Sequence, residues 1–236
     1  MNPAPINSVP PCALCGARGK LEQSHIIPQF VYRWAKTRAG QHDIPPGPTR
    51  PMLCGACEDE FSFYESEFAR HVFHPLAAGT RPSTKYGAWL RQFAASVCWR
   101  IIEESLVEAR LGSFQGRWTA ELAACRETWH HYLSGQRPDV GGHHLHLLPW
   151  AALASGADAG LQPRIESEVS GSDHAAFVYA RLGPVILLGL IADPDPKPWR
   201  GTRINAEGKL KPRDVAVPDR YRDYLLSRTR LTAGSA

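Results

Sequence analysis

What this 236-residue sequence lacks narrows the field before any motif is read. No apolar run is long enough to cross a bilayer: the longest, "GPVILLGLIA" from Gly183 to Ala192, is about half of the roughly 20 residues a spanning helix needs. The N-terminal "MNPAPINSVPP" has no basic segment followed by an apolar one, so no secretory signal is expected, the expected compartment is the cytoplasm, and no membrane partner is expected. Internal repeats are absent. Cysteine is scarce, at six residues, and four of these form two Cys-x-x-Cys pairs. In a chain read as non-secreted, that spacing favours a metal over disulfides. What remains is a 43% hydrophobic chain with seven tryptophans, enough for a real core in one large or two small domains.

The net charge of +4 is unevenly spread. Residues 1–57 carry six Lys/Arg against two Asp/Glu, residues 58–196 carry 11 against 17, and residues 197–236 carry 10 against four. A basic head and tail around an acidic middle suit a nucleic-acid partner, and they equally suit ordinary surface charge. In the tail, Arg200, Arg203, Lys209 and Lys211 recur near Trp199, Tyr221 and Tyr224, and are the candidate phosphate contacts for DNA.

The chain divides into a Pro-rich, disordered start (1–11), a cysteine module (12–75) and a larger body (76–236). "RAGQHDIPPGPTRP" (Arg38 to Pro51), with four prolines and two glycines, reads as a loop. From Gly55 to about Phe73 a helix is expected, with Phe61, Phe68 and Val72 inward, broken at "HPLAAGTRPST". Leu90, Phe93, Ala94, Val97, Ile101 and Leu106 predict a second helix ending at Gly112. A third runs from about Thr119 to Gly135 and completes a helical hairpin. Cys98 and Cys125 fall on apolar helix faces and read as buried thiols. "AAFVYARLG" and "PVILLGLIA" predict paired strands meeting at Gly183-Pro184. Another hairpin is expected around Asn205–Gly208, then an amphipathic helix with Tyr221, Tyr224 and Leu225 inward. The fold class expected is α+β: a zinc-stabilised ββα N-terminal unit, a helical hairpin and a small antiparallel sheet.

Cys12, Cys15, Cys54 and Cys57 have the spacing Cys-x2-Cys-x38-Cys-x2-Cys. Each pair delivers two thiolates from one knuckle, and two knuckles complete a tetrahedral, closed zinc site. The long gap carries "LEQSHIIPQFVYRW". Two knuckles enclosing His25-Ile26-Ile27-Pro28, the second opening a helix, resemble an HNH endonuclease of the ββα-metal, treble-clef type. Phage junction-resolving nucleases are similar in setting a four-cysteine zinc around the same strand pair and helix. The resemblance covers residues 12–75. "LCGACEDEFSFYESEFA" followed by "YGAWLRQFAASVCWR" also looks like bacterial proteins with HNH-like N-termini.

That resemblance implies a structural zinc, a catalytic Mg²⁺ or Mn²⁺, and phosphodiester hydrolysis in DNA. It makes His25 the general base. Ser24 stands where the family usually has an acidic or histidine metal ligand, and Glu58 stands where it has the other ligand. Glu22, two residues before Ser24, is a candidate for the missing carboxylate. Ser62 and Glu65 lie on about the same helix face as Glu58. Beside this reading stands a second one, a catalytically degenerate zinc module that grips nucleic acid or a protein, and it draws on Ser24. His25 also has a plainer reading as a core histidine, and Glu58 as an acid favoured at a helix N-terminus. The histidines of "GGHHLHLLPW" (Gly141 to Trp150) look like a metal site, yet His144 and His146 alternate as on a strand and have no acid beside them.

Overall fold

A computed structural model describes residues 10–38, 44–80, 85–108, 114, 116–153, 164–194, 199–211 and 215–230. Most of the N-terminus expected to be disordered (residues 1–9), and Gly112, expected to end a helix, lie outside the described residues. The fold mixes helices and antiparallel sheet.

The cysteine module holds β1 (Leu21–His25), α1 (Gln29–Arg38), β2 (Thr49–Cys54) and α2 (Gly55–Phe68). β1 and β2 pair antiparallel, from Leu21 opposite Cys54 to His25 opposite Thr49. The loop expected over Arg38–Pro51 is shorter at its far end, because Thr49, Arg50 and Pro51 already pair with β1. Helix α1 is an element absent from the expected set. Phe30, Val31 and Ala35 give it a buried stripe, and it starts directly after Pro28. Helix α2 does not break at His74. It passes through a π-helical turn (Ala69–Phe73) into α3 (His74–Ala77). Pro75 lies in the first turn of α3, and the wider turn before it absorbs a residue that lacks an N–H. Phe61, Phe68 and Val72 are buried as expected.

After the short β3 (Lys85–Tyr86), α4 (Ala88–Val107) and α5 (Thr119–Leu133) form the expected hairpin. Every residue of α4 from Phe93 to Glu103 is buried. A helix apolar on all sides must have partners on all sides. Helix α4 packs on α2 of the cysteine module, on α5, and on the sheet. Leu106 departs from expectation: with Val107 it is exposed at the far end of α4, past these partners. Cys98 and Cys125 are fully buried, as expected.

The sheet has four antiparallel strands, β4 (Leu145–Pro149), β5 (Ile165–Gly171), β6 (Ala176–Leu182) and β7 (Val185–Ala192), in the order β4-β7-β6-β5. The expected pair, β6 and β7, is its centre. Val178, Ala180, Leu182, Val185 and Leu187 join the core beneath α4 and α5. Phe177, Tyr179, Ile186 and Leu188 join a second core on the opposite face, with Tyr221 and Leu225 of α6 (Asp219–Arg230). Burial on both faces explains why these strands read as unbroken apolar runs.

The hairpin expected around Asn205–Gly208 does not form. Thr202 and Ile204 instead bond to the free edge of β4, through Leu147 N–H to Thr202 O (2.9 Å) and Ile204 N–H to Leu145 O (2.8 Å). Gly208–Lys209 (β8) then pairs with β3. An edge strand offers unpaired backbone groups, and this segment takes them up more fully than a local turn would. One core cluster runs from Cys12 through α4 to Ile204, so the boundary expected at residue 75 marks no gap in packing.

The β6–β7 turn shows this continuity at one residue. Gly183 has φ +58°, and a Cβ there would lie 2.3 Å from the Trp34 ring of α1. Gly183→Ala therefore meets both a left-handed backbone and an overpacked contact, and is expected to destabilise by about 2–4 kcal/mol. Thermal denaturation checks this: a melting temperature equal to that of the parent protein would show that Trp34 yields freely.

Candidate metal centre and adjoining cleft

The first knuckle is a turn at residues 13–15 in which Gly16 N–H bonds to Cys12 O (2.9 Å). Ala13 N–H bonds to Met52 O (2.9 Å), which ties this turn to β2. The second knuckle is the end of β2 itself: Cys54 is the N-cap of α2 and Cys57 lies in its first turn. All four sulfurs lie within 4.8 Å of one another, Cys15 and Cys54 at 3.6 Å, and all four cysteines are free thiols. Tetrahedral zinc with bonds of about 2.3 Å sets sulfurs about 3.8 Å apart, so the donors fit such an ion.

The backbone prepares these sulfurs for charge. Burial opposes ionisation of Cys12, but bonds from the backbone of Cys15, Cys54 and Leu14 outweigh it and bring this thiol down to about 7. The Cys54 N–H reaches Cys12 Sγ at 3.3 Å. Cys57 is pushed the other way, by burial and then by the sulfurs of Cys15 and Cys54. Four crowded sulfurs do not all ionise unaided, and a dication held among them would supply the compensating charge.

Because α2 starts at the second knuckle, Glu58 follows Cys57 in its first turn and faces β1. Ser24, fully buried, donates through Oγ to Glu58 Oε2 at 2.8 Å. The two residues that the resemblance aligned with metal ligands are thus in contact. His25 is next in the chain and half-buried. It opens onto a cleft of about 740 Å³, walled by Gln29 and Arg33 from α1 and by Glu58, Ser62 and Glu65 from α2. Arg70 and His74 complete the far end. Glu22 is not brought here. Its carboxylate takes Lys20 Nζ at 3.1 Å on the surface.

One residue of the site escaped the sequence patterns. Arg100 of α4 is fully buried. Its Nη1 donates to the carbonyl of His25 (2.6 Å), its Nη2 to Glu65 Oε1 (2.7 Å) and its Nε to the carbonyl of Ser96 (3.2 Å). A signal for it existed: position 100 follows Phe93 by seven residues and Val97 by three, which places an arginine on the apolar face.

The other predicted residues lie elsewhere. Arg200, Arg203, Lys209 and Lys211 are exposed, and none lines the cleft. Not all of the basic tail is open to solvent: Arg220 pairs with Asp193, and Arg228 Nη2 bonds to Glu168 at 2.9 Å. Among the described residues the four cysteines are the one cluster of metal-type donors, so the histidines of "GGHHLH" do not assemble a second. They line a separate cavity of about 430 Å³ with Trp199, Asp193 and Arg203. His146 there is buried, holds Thr202 Oγ1 at 2.9 Å and lies 4.0 Å from the Trp199 ring.

Comparison of the chain with protein-family models, with curated proteins and with solved structures gives no match in any of the three.

Two expectations follow from these groups. Cys54→Ser removes one of four ligands and the N-cap residue of α2. Purified protein is expected to carry one metal ion per chain, and the variant to lose it together with the helicity of the cysteine module. Elemental analysis and circular dichroism check this, and a metal-free parent protein would refute it. The second concerns His146, whose imidazole is driven down to about 3, first by burial and then by the charges of His144 and Arg203. An unfolded histidine titrates near 6.5, so between about 3 and 6.5 the unfolded chain binds the extra proton. This contribution is complete above about 6.5 and is lost as pH falls, by up to about 1.4 kcal/mol per pH unit. His146→Gln is expected to flatten the acid slope by one proton, as read by urea unfolding at several pH values. An unchanged slope would contradict it.

Proposed function

We propose that this protein is a metal-dependent endonuclease of the HNH kind that hydrolyses phosphodiester bonds in DNA. Its zinc-held, treble-clef ββα unit comprises β1, β2 and α2. The observation that carries the reading is the Ser24–Glu58 contact beside His25 at the mouth of the cleft. Zinc suits the four-thiolate set, and its closed coordination makes it structural. A cleft with one available carboxylate is enough for Mg²⁺ or Mn²⁺, which take most of their ligands from water and phosphate.

In this reading His25 accepts a proton from the attacking water. Ser24, by donating to Oε2, fixes the Glu58 carboxylate and leaves Oε1 directed to a cation. A divalent ion held there would supply positive charge to the scissile phosphate and to the departing 3′ oxygen. Gln29, Ser62 and Arg33 offer polar contacts along the cleft walls. Arg200, Arg203, Lys209 and Lys211 would contact phosphates outside the zinc module.

A second reading is favoured by Ser24 itself. A hydroxyl is a weak replacement for the acid usual at that position, which fits a module that binds nucleic acid or a protein without cutting.

Nicking of supercoiled plasmid with Mn²⁺ separates the two. His25→Ala is expected to keep the fold and the structural metal and to lose about 10²–10⁴-fold in rate. Glu58→Gln is expected to raise the Mn²⁺ concentration required, and Ser24→Asp to lower it. A helix-terminus role for Glu58 would instead cost only a few tenths to about 1 kcal/mol of stability, with metal dependence unchanged. Parent protein inert on every DNA tried, or His25→Ala as active as the parent, would overturn the nuclease reading. Replacing Arg200, Arg203, Lys209 and Lys211 together by Ala is expected to weaken binding to all DNA sequences alike and to flatten the log–log salt slope by about two to four. An unchanged slope would exclude these four from the DNA path.

A further inference from the structure

We infer that Arg100 is a positioning residue for this site: from α4, outside the cysteine module, it fixes the backbone of His25 and neutralises Glu65, so that Glu58 is the cleft carboxylate left for a cation. The inference rests on the nuclease reading for its activity readout, but not for its structural one.

The geometry is specific. His25 ends β1, and beyond it Ile26 N–H bonds to Pro48 O (3.1 Å). The His25 carbonyl is taken by Arg100 Nη1 at 2.6 Å. The second arm of the same planar guanidinium holds Glu65 Oε1 at 2.7 Å, and the group lies over the Phe61 ring, 5.5 Å from its centroid. One rigid fork therefore joins the end of β1, which carries His25, to the α2 wall of the cleft. The side chain of Arg100 is 1% exposed, so its guanidinium has these protein acceptors in place of water, while Glu65, 18% exposed, meets the cleft with its remaining surface. A backbone anchor at His25 sets where the imidazole starts, and a displacement of about 1 Å in a reacting group costs on the order of 10²-fold in rate. The pairing also decides the electrostatics. Two carboxylates line the cleft, and the one two helical turns from Glu58 already has its counter-charge.

Lysine cannot reproduce the fork, because a single ammonium lacks the two parallel donors. Methionine at 100 alone would strand a charge on Glu65. Arg100→Met combined with Glu65→Leu removes both charges, an exchange that buried pairs tolerate well. The full-length chain carrying Arg100→Lys, and the chain carrying the Met/Leu pair, are compared with the parent protein. The probes are Mn²⁺ and supercoiled plasmid, and the imidazole resonances of His25 are read by NMR. Both variants are expected to keep the cysteine-bound metal and the Mn²⁺ concentration for half-maximal rate. Cleavage should slow by about 10–10²-fold well below the melting temperature, with shifted His25 resonances. A purely structural arginine predicts parent-like cleavage wherever the variants are folded. Parent-like rates together with unmoved His25 resonances in the Met/Leu pair would overturn the inference. If the parent protein does not cleave at all, the nuclease reading falls, and the His25 resonances alone decide whether Arg100 positions that residue.

Discussion

The constraint on which the rest of this structure depends is the enclosure of α4. From Phe93 to Glu103 every residue of that helix is buried. Such a helix cannot sit at the edge of anything. It forces the cysteine module, α5 and the four-stranded sheet to close around it, and its buried charged groups take partners inside the protein. Arg100 finds Glu65 and the His25 carbonyl; Glu103 finds Arg126, at 2.5 Å. The Glu103 carbonyl also takes Arg50 of β2 at 3.2 Å. The polar bonds between α4 and the cysteine module are thus a by-product of burying a helix on every side, and those of Arg100 fall on two residues of the cleft, His25 and Glu65.

Much of this was legible in the sequence, for physical reasons that can be named. The cysteine spacing foretold the grouping of four sulfurs, because each Cys-x-x-Cys turn is a local geometry that needs no knowledge of the fold. The meeting of β6 and β7 at Gly183-Pro184 was legible for the same reason. The Ser24–Glu58 contact was not legible from spacing, since 34 residues separate the two; the resemblance singled out both residues but did not pair them. Arg100 was not legible as a partner of His25, because that pairing spans 75 residues and depends on how α4 docks. The fate of residues 202–204 was hidden likewise: a turn-like sequence yielded to the open edge of β4.

The charge pattern shows how segment totals mislead. The basic tail and the acidic middle are separate along the chain but meet in space, where α6 crosses the outer face of the sheet. Arg228 lies 2.9 Å from Glu168 and 3.7 Å from Glu166 of β5. Tyr224 adds its hydroxyl to Glu168, whose neighbouring charge, after burial, pushes that phenol well above its usual range. Part of the apparent polyelectrolyte character is therefore internal glue. Arg200, Arg203, Lys209 and Lys211 differ in being exposed, as does Arg222 of α6, so among the described residues the open cations of the tail are fewer than the composition implies.

The stacking of Phe68 on Phe93, rings 3.9 Å apart and 11° from parallel, bears on how this architecture can be rearranged. Small four-cysteine units are often treated as portable cassettes that travel between proteins with their chemistry intact. Here the inner wall of the unit is an aromatic surface made for one particular helix. Transplanted without α4, it would uncover Phe61 and Phe68 and leave the His25 carbonyl without its donor. A graft of the cysteine module would therefore have to bring α4 with it, so the smallest portable piece is set by an aromatic stack and not by the cysteines.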